Sequence, residues 1–230
     1  FFKLFGVVLE YLRCAGRLVG ATARSADELS RVKEQAEFFG LSGLVSAVVL
    51  VFHADVIISI TATGAAEVNI QVANSKVKEK DLNLDTAKRL EKILKRRGFH
   101  VVMTRRTDRF LHLQERAKIA NRYQDAVFIS IHYNAHPDTS VKGIETFYAT
   151  MEGRKLASGI QNHLTKRIRQ TRNRGIKSGK QYAVLNKTRM VSVLVEGGFI
   201  SNSWERSRLN GAWYRQIVAE QIAKGILIHK

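Results

Sequence analysis

The sequence predicts one α/β sandwich domain, with a mostly parallel or mixed central sheet and helices on both faces. Three observations lead there: several segments repeat apolar residues at helical spacing, short Val- and Ile-rich runs lie between them, and the two kinds alternate along the chain. The run from Val56 to Ile60 reads as the first strand. From Asp81 to Arg97, Leu82, Leu84, Ala87, Leu90, Ile93 and Leu94 line one face of a helix, and Gly98 stands where a left-handed C-terminal cap would end it. Phe99 to Thr104 reads as a short buried strand, Leu113 to Tyr123 as a helix and Ala126 to Ile131 as a second buried strand. Gly143 to Thr150 is a further strand, Gly153 to Arg172 a long basic helix, Val191 to Val195 a strand, and Ala212 to Ile228 the closing helix.

Composition bounds the partners. The chain has 230 residues, 45% of them apolar and 25% charged, which suits one domain with a sizeable core. Its formal charge of +18 is unevenly placed: residues 1 to 75 hold 6 Lys/Arg and 7 Asp/Glu, leaving 32 and 13 for the rest. Such an excess raises the local concentration of a polyanion. The basic segment from Arg154 to Lys180 is not interleaved with aromatic residues for base stacking, so no nucleic-acid partner is expected. Cys14 is the only cysteine, which excludes an internal disulfide and a cysteine-rich zinc site. Opening on Phe1 marks a fragment or processed product, and Glu10, Arg13 and Arg17 interrupt any clean signal peptide. The largely apolar run from Leu41 to Ile60 contains His53 and Asp55 and reads as a buried strand region rather than a membrane span.

Three motifs point to chemistry. In Ser130-Ile131-His132-Tyr133-Asn134-Ala135 a histidine closes an apolar run, a position suited to a metal ligand at a strand's end. Upstream lies Lys78-Glu79-Lys80-Asp81-Leu82-Asn83-Leu84, and downstream Val193-Leu194-Val195-Glu196-Gly197-Gly198-Phe199-Ile200-Ser201-Asn202. Glu196 ends a strand immediately before two glycines that let the backbone pass close to a ligand, a place where packing does not call for a carboxylate.

In this order the three motifs resemble the zinc-dependent N-acetylmuramoyl-L-alanine amidases, which cut the amide between the lactyl group of muramic acid and the first residue of the peptidoglycan stem peptide. The resemblance covers roughly residues 76 to 230 and implies Zn2+ as cofactor, Glu79 and His132 as metal ligands, and Glu196 as the general base. It further implies peptidoglycan as the partner and a place in the periplasm or extracellular cell wall. Asn134 is expected to orient His132 or the substrate, Glu145 in Gly143-Ile144-Glu145-Thr146-Phe147-Tyr148 matches a recurrent family segment, and Arg105 follows a strand as the family's Thr-Arg pair does; the alternative for all three is a structural role. His100, His112, His136 and His163 match no ligand position, and Val191 replaces a common proline. The basic residues Lys166, Arg167, Arg169, Arg172 and Arg174 offer a face for anionic wall polymer.

Residues 1 to 75 show no such resemblance apart from the strand near 56 to 60. The family's first ligand is the His of an Asp-Xaa-Gly-His-Gly-Gly turn after that strand, where this chain has Ile60-Thr61-Ala62-Thr63-Gly64-Ala65-Ala66. His53 lies before the strand and is no substitute. Codons compatible with Ser59 to Ala65, read one base earlier, spell Asp-Xaa-Gly-His-Gly-Gly. The expectation is a displaced reading frame up to about residues 70 to 77, restored before Lys78; its rival is a pseudoenzyme that binds peptidoglycan without its metal.

Overall fold

In the computed structural model, residues 55–59, 77–123 and 125–229 are described. In chain order the elements are β1 (Asp55–Ser59), α1 (Glu79–Lys95), β2 (His100–Met103), α2 (Leu113–Ala120), β3 (Ala126–Asn134), β4 (Ile144–Tyr148), α3 (Met151–Arg167), β5 (Asn173–Ser178), α4 (Ala183–Asn186), β6 (Val191–Phe199), α5 (Ser203–Asn210) and α6 (Ala212–Leu227). The six strands form one sheet in the order β2-β1-β3-β6-β4-β5. All neighbours are parallel except β4 and β6, so the sheet is mixed, as the alternating pattern predicts.

Side-chain alternation along the central strands divides the core in two. Ile129, Ile131 and Tyr133 of β3, with Val193 and Val195 of β6, pack into a large cluster with α1, α3 and α6. Phe128 and Leu194 point the other way, joining Phe147, Val184 and Leu185 on the side of α2 and α4. Helices therefore cover both faces.

Helix α1 ends as its sequence predicts. The Phe99 amide donates to the Leu94 carbonyl at 3.2 Å while Gly98 takes φ 81°, a conformation in which a side chain would be strained. The basic helix expected to run from Gly153 to Arg172 stops at Arg167, because Ile168 leaves helical dihedrals at φ −106°, ψ 73° to bury its side chain. Beyond it, Asn173–Ser178 forms edge strand β5, so Arg174 belongs to the sheet and not to a basic helix face.

The packing of α3 on α6 is close enough to forbid a methyl group. A Cβ on Gly225 would lie 2.6 Å from Ile160 Cα, on backbone that cannot swing away. We expect Gly225→Ala to cost about 1–3 kcal/mol through overpacking, read as a lowered urea midpoint with an unchanged m-value. Among the described residues no helix is long and apolar enough to cross a membrane. Most of the Leu41 to Ile60 run, like Cys14, His53 and the Thr63-Gly64 segment, lies outside the described residues.

Candidate active site

The sheet itself assembles the site. His132 of β3 and Glu196 of β6 are Cα partners in the parallel ladder, and Glu196 is in turn the partner of Glu145 in the antiparallel one. Residues two apart on a strand share a face, so this row lies on the side occupied by Phe128, Leu194 and Phe147, one pair beyond the apolar cluster. It also lies toward the carboxyl ends of β3 and β6, where open α/β sheets hold their ligands. Parallel pairing of β1 with β3 brings Ser59 level with Ser130, so β1 ends at the same edge of the sheet.

Glu79 reaches this row as the first residue of α1. Its Oε1 stands 2.9 Å from His132 Nδ1 and accepts from Asn83 Nδ2 at 3.0 Å and the Tyr133 amide at 3.3 Å. The other ring nitrogen of His132 is 3.2 Å from Ser130 Oγ. The start of α1 is clamped by Arg105, which is buried and whose guanidinium donates to the carbonyls of Lys80 at 2.6 Å and Thr107 at 2.9 Å. Arg105 thus positions the helix turn that presents Glu79. Arg116 is buried too; loss of solvation and then the Arg105 charge lower its pKa to about 10, against an opposing pull from Glu79.

Glu196 is only 7% exposed, and its Oε2 is buried with no hydrogen-bond partner among the described residues. An unpaired buried carboxylate oxygen is costly and uncommon in folded proteins. Burial first, then the negative charges of Glu79 and Glu145, push the Glu196 carboxyl well above its ordinary range. That is the direction expected of a group that must give back a proton it has taken. The backbone beyond it is tight: a Cβ on Gly197 would lie 2.8 Å from the Tyr133 ring, and Gly198 takes φ 146°.

Glu145, also buried, differs from Glu196 in being fully engaged. It accepts from Asn134 Nδ2 at 2.9 Å, from Arg174 Nε at 2.9 Å and from the Lys177 ammonium. Asn134 accordingly holds Glu145 rather than His132. Tyr182, edge-on to Phe147 at 4.9 Å, has its phenol raised by burial and then by the charges of Glu196 and Glu145, which puts it in the field of the site. The sequence motifs do not reach Arg174, Lys177 or Tyr182, since each becomes a neighbour only through the β4–β5 pairing and the loop after it.

With this geometry in view, comparison with known proteins is decisive. The family of N-acetylmuramoyl-L-alanine amidases, in the division called Amidase_3, matches residues 56–227. The chain belongs to that family. N-acetylmuramoyl-L-alanine amidase LytC of Bacillus subtilis (strain 168) is 40% identical over 151 residues, which is 64% of this chain and 30% of LytC. A probable cell wall amidase, LytH of Staphylococcus epidermidis, is 36% identical over 66% of this chain and 50% of its own length. The chain thus spans between about a third and a half of these relatives. The crystal structure of an N-acetylmuramoyl-L-alanine amidase from Clostridium difficile 630 superposes with a TM-score of 0.69 at 32% identity, covering 76% of this chain and 96% of that one.

The site of this amidase-family chain suits a zinc ion in donor chemistry and is incomplete in number. A carboxylate oxygen and an imidazole nitrogen, both donor types that bind zinc, stand at hydrogen-bond distance from each other, 2.9 Å. No group of three His, Cys, Asp or Glu side chains able to hold a metal occurs among the described residues. From Ile60 to Lys76, outside the described residues, the sequence contains no His, Cys or Asp and one carboxylate, Glu67.

Proposed function

We propose that this domain hydrolyses the amide joining the muramic acid lactyl group to the L-Ala of the peptidoglycan stem peptide, at the cell wall or in the periplasm, with Glu79 and His132 as zinc ligands and Glu196 as base. The observation that supports it most is the buried, partnerless Glu196 oxygen beside a His–carboxylate pair. Zinc bound between Glu79 and His132 would supply a Lewis acid that makes water a better nucleophile near neutral pH. Glu196 takes a proton from the attacking water as its oxygen bonds to the amide carbon. It returns that proton to the nitrogen as the C–N bond breaks, leaving a lactyl carboxylate and a free L-Ala amino group. Glu145, tied to Arg174 and Lys177, keeps those cations from pairing with Glu196 and so leaves the base unneutralised.

A second reading, a peptidoglycan-binding domain without hydrolysis, is favoured by the donor set among the described residues, which stops at two. Equilibrium dialysis against zinc separates the two. Because the displaced-frame reading puts the family's histidine at Thr63, Thr63→His is expected to raise zinc affinity at least about tenfold. Unchanged affinity together with retained binding to sacculi would favour the second reading.

A further inference from the structure

Away from the catalytic row, the loop after α3 and the start of α6 enclose a groove of about 670 Å³ whose lining includes Lys166, Arg167, Arg169, Arg208, Trp213 and Tyr214 and no carboxylate. Four of these six are cations. The first three are exposed and lie at the C-terminal end of α3, where their charge also complements the helix dipole. Arg208 likewise lies in the last turn of its own helix, α5. Its guanidinium sits 4.8 Å from the Trp204 ring centroid, 5.1 Å from Trp213 and 5.6 Å from Tyr214, with Lys142 on Trp204 at 5.5 Å. Its buried Nε has no hydrogen-bond partner among the described residues. An arginine held by three rings, with no acidic residue among the described residues lining its groove, is fixed in place.

Trp204 and Trp213 are among the few large apolar side chains left exposed, at 42% and 53%. Indole faces beside a guanidinium and three further cations match a polymer that alternates phosphate with carbon-rich polyol units. The guanidinium fork takes two phosphate oxygens at once, and the indoles take C–H surface. Tyr214 ties the groove to the strand that carries Glu196, on the sheet face opposite the Glu196 side chain, since its hydroxyl donates to the Gly197 carbonyl at 2.9 Å.

We propose that this groove binds a phosphodiester-linked polyol polymer of the cell wall and so holds the domain on its substrate. The choice of a wall polymer rests on the amidase reading above. The readout is therefore retention, not cleavage: a chain that binds but does not cut leaves the groove assignment standing, and one that cuts without binding removes it.

The test is co-sedimentation of the full chain with sacculi that retain their phosphodiester polymer and with the same sacculi stripped by hydrofluoric acid. Retention on intact sacculi is expected to be about tenfold stronger than on stripped ones and to fall steeply with salt. Arg208→Gln should lose most of that difference. Because Arg208 also packs against three rings, the exposed pair Lys166→Glu with Arg169→Glu serves as the second variant and should show the same loss while the circular dichroism spectrum is unchanged. Equal retention on stripped sacculi, or intact-wall retention unaffected by both variants, overturns the proposal. So does single-stranded RNA of equal phosphate count competing as well as the wall polymer, which would assign the groove to nucleic acid.

Discussion

Replacing Glu196 by Gln is expected to lower the rate of amide cleavage about 10³-fold while sacculus binding and the melting temperature stay close to those of the unaltered chain. Proton transfer by a positioned base contributes roughly 10²- to 10⁴-fold. Gln keeps the size of the side chain but cannot take a proton. Stability should not suffer, because the native carboxylate sits buried with one oxygen unpartnered and with Glu79 and Glu145 raising its pKa. A neutral amide removes that repulsion. A group that costs stability and supplies rate behaves oppositely in the two assays, whereas a merely structural carboxylate would lose both together.

The second large effect falls on Glu205, where replacement by Ala is expected to destabilise the fold by about 3 kcal/mol or more, since each buried donor left unpaired costs roughly 1–3 kcal/mol. Its carboxylate is 2% exposed and accepts from the amides of Gly143, at 3.0 Å, and Phe199, at 2.6 Å, and from the Thr171 hydroxyl. One side chain thereby fixes the start of β4, the end of β6 and the loop before β5. For a domain of this size the loss should appear as a drop of roughly 6–12 °C in Tm. Because β6 carries Glu196 and β4 carries Glu145, activity should fall before global unfolding does.

Glu205 also shows what the sequence leaves unread. It sits on a short helix with a weakly apolar face, and its three partners lie up to 62 residues away, so no local pattern marks it. The catalytic row is legible for the opposite reason. His132 and Glu196 each interrupt or end a continuous apolar strand, and a polar group in that position stands out against its neighbours. The same interruption hides the true end of β3, which continues through His132 to Asn134 although the apolar run stops at Ile131. β5 is harder still. Asn173-Arg174-Gly175-Ile176-Lys177-Ser178 is a half-exposed edge strand with a positive φ at Gly175, so it offers no alternation, and the sequence reading, whose basic helix ends at Arg172, assigns it no element. Arg174 and Lys177, which a helix would turn toward solvent, are the cations that hold Glu145.

The proposed ligand pair is readable as motif and becomes geometry only through tertiary contact. Glu79 and His132 are 53 residues apart, yet α1 begins where β3 ends and Arg105 holds that junction. The histidine that the family resemblance places after β1 is absent at the level of sequence, since the stretch from Ile60 to Lys76 contains no His; that stretch lies outside the described residues.

The most direct test of the active-site assignment is to digest purified sacculi with the chain in excess zinc, alongside its Thr63→His variant, and to identify the released ends by mass spectrometry. The assignment predicts stem peptides with a free L-Ala amino terminus and glycan bearing the matching lactyl carboxylate, more of both from Thr63→His, and neither once Glu196→Gln is added. Release of neither product by the chain or by a zinc-loaded Thr63→His variant, or cleavage at a glycosidic or peptide bond instead, would contradict it.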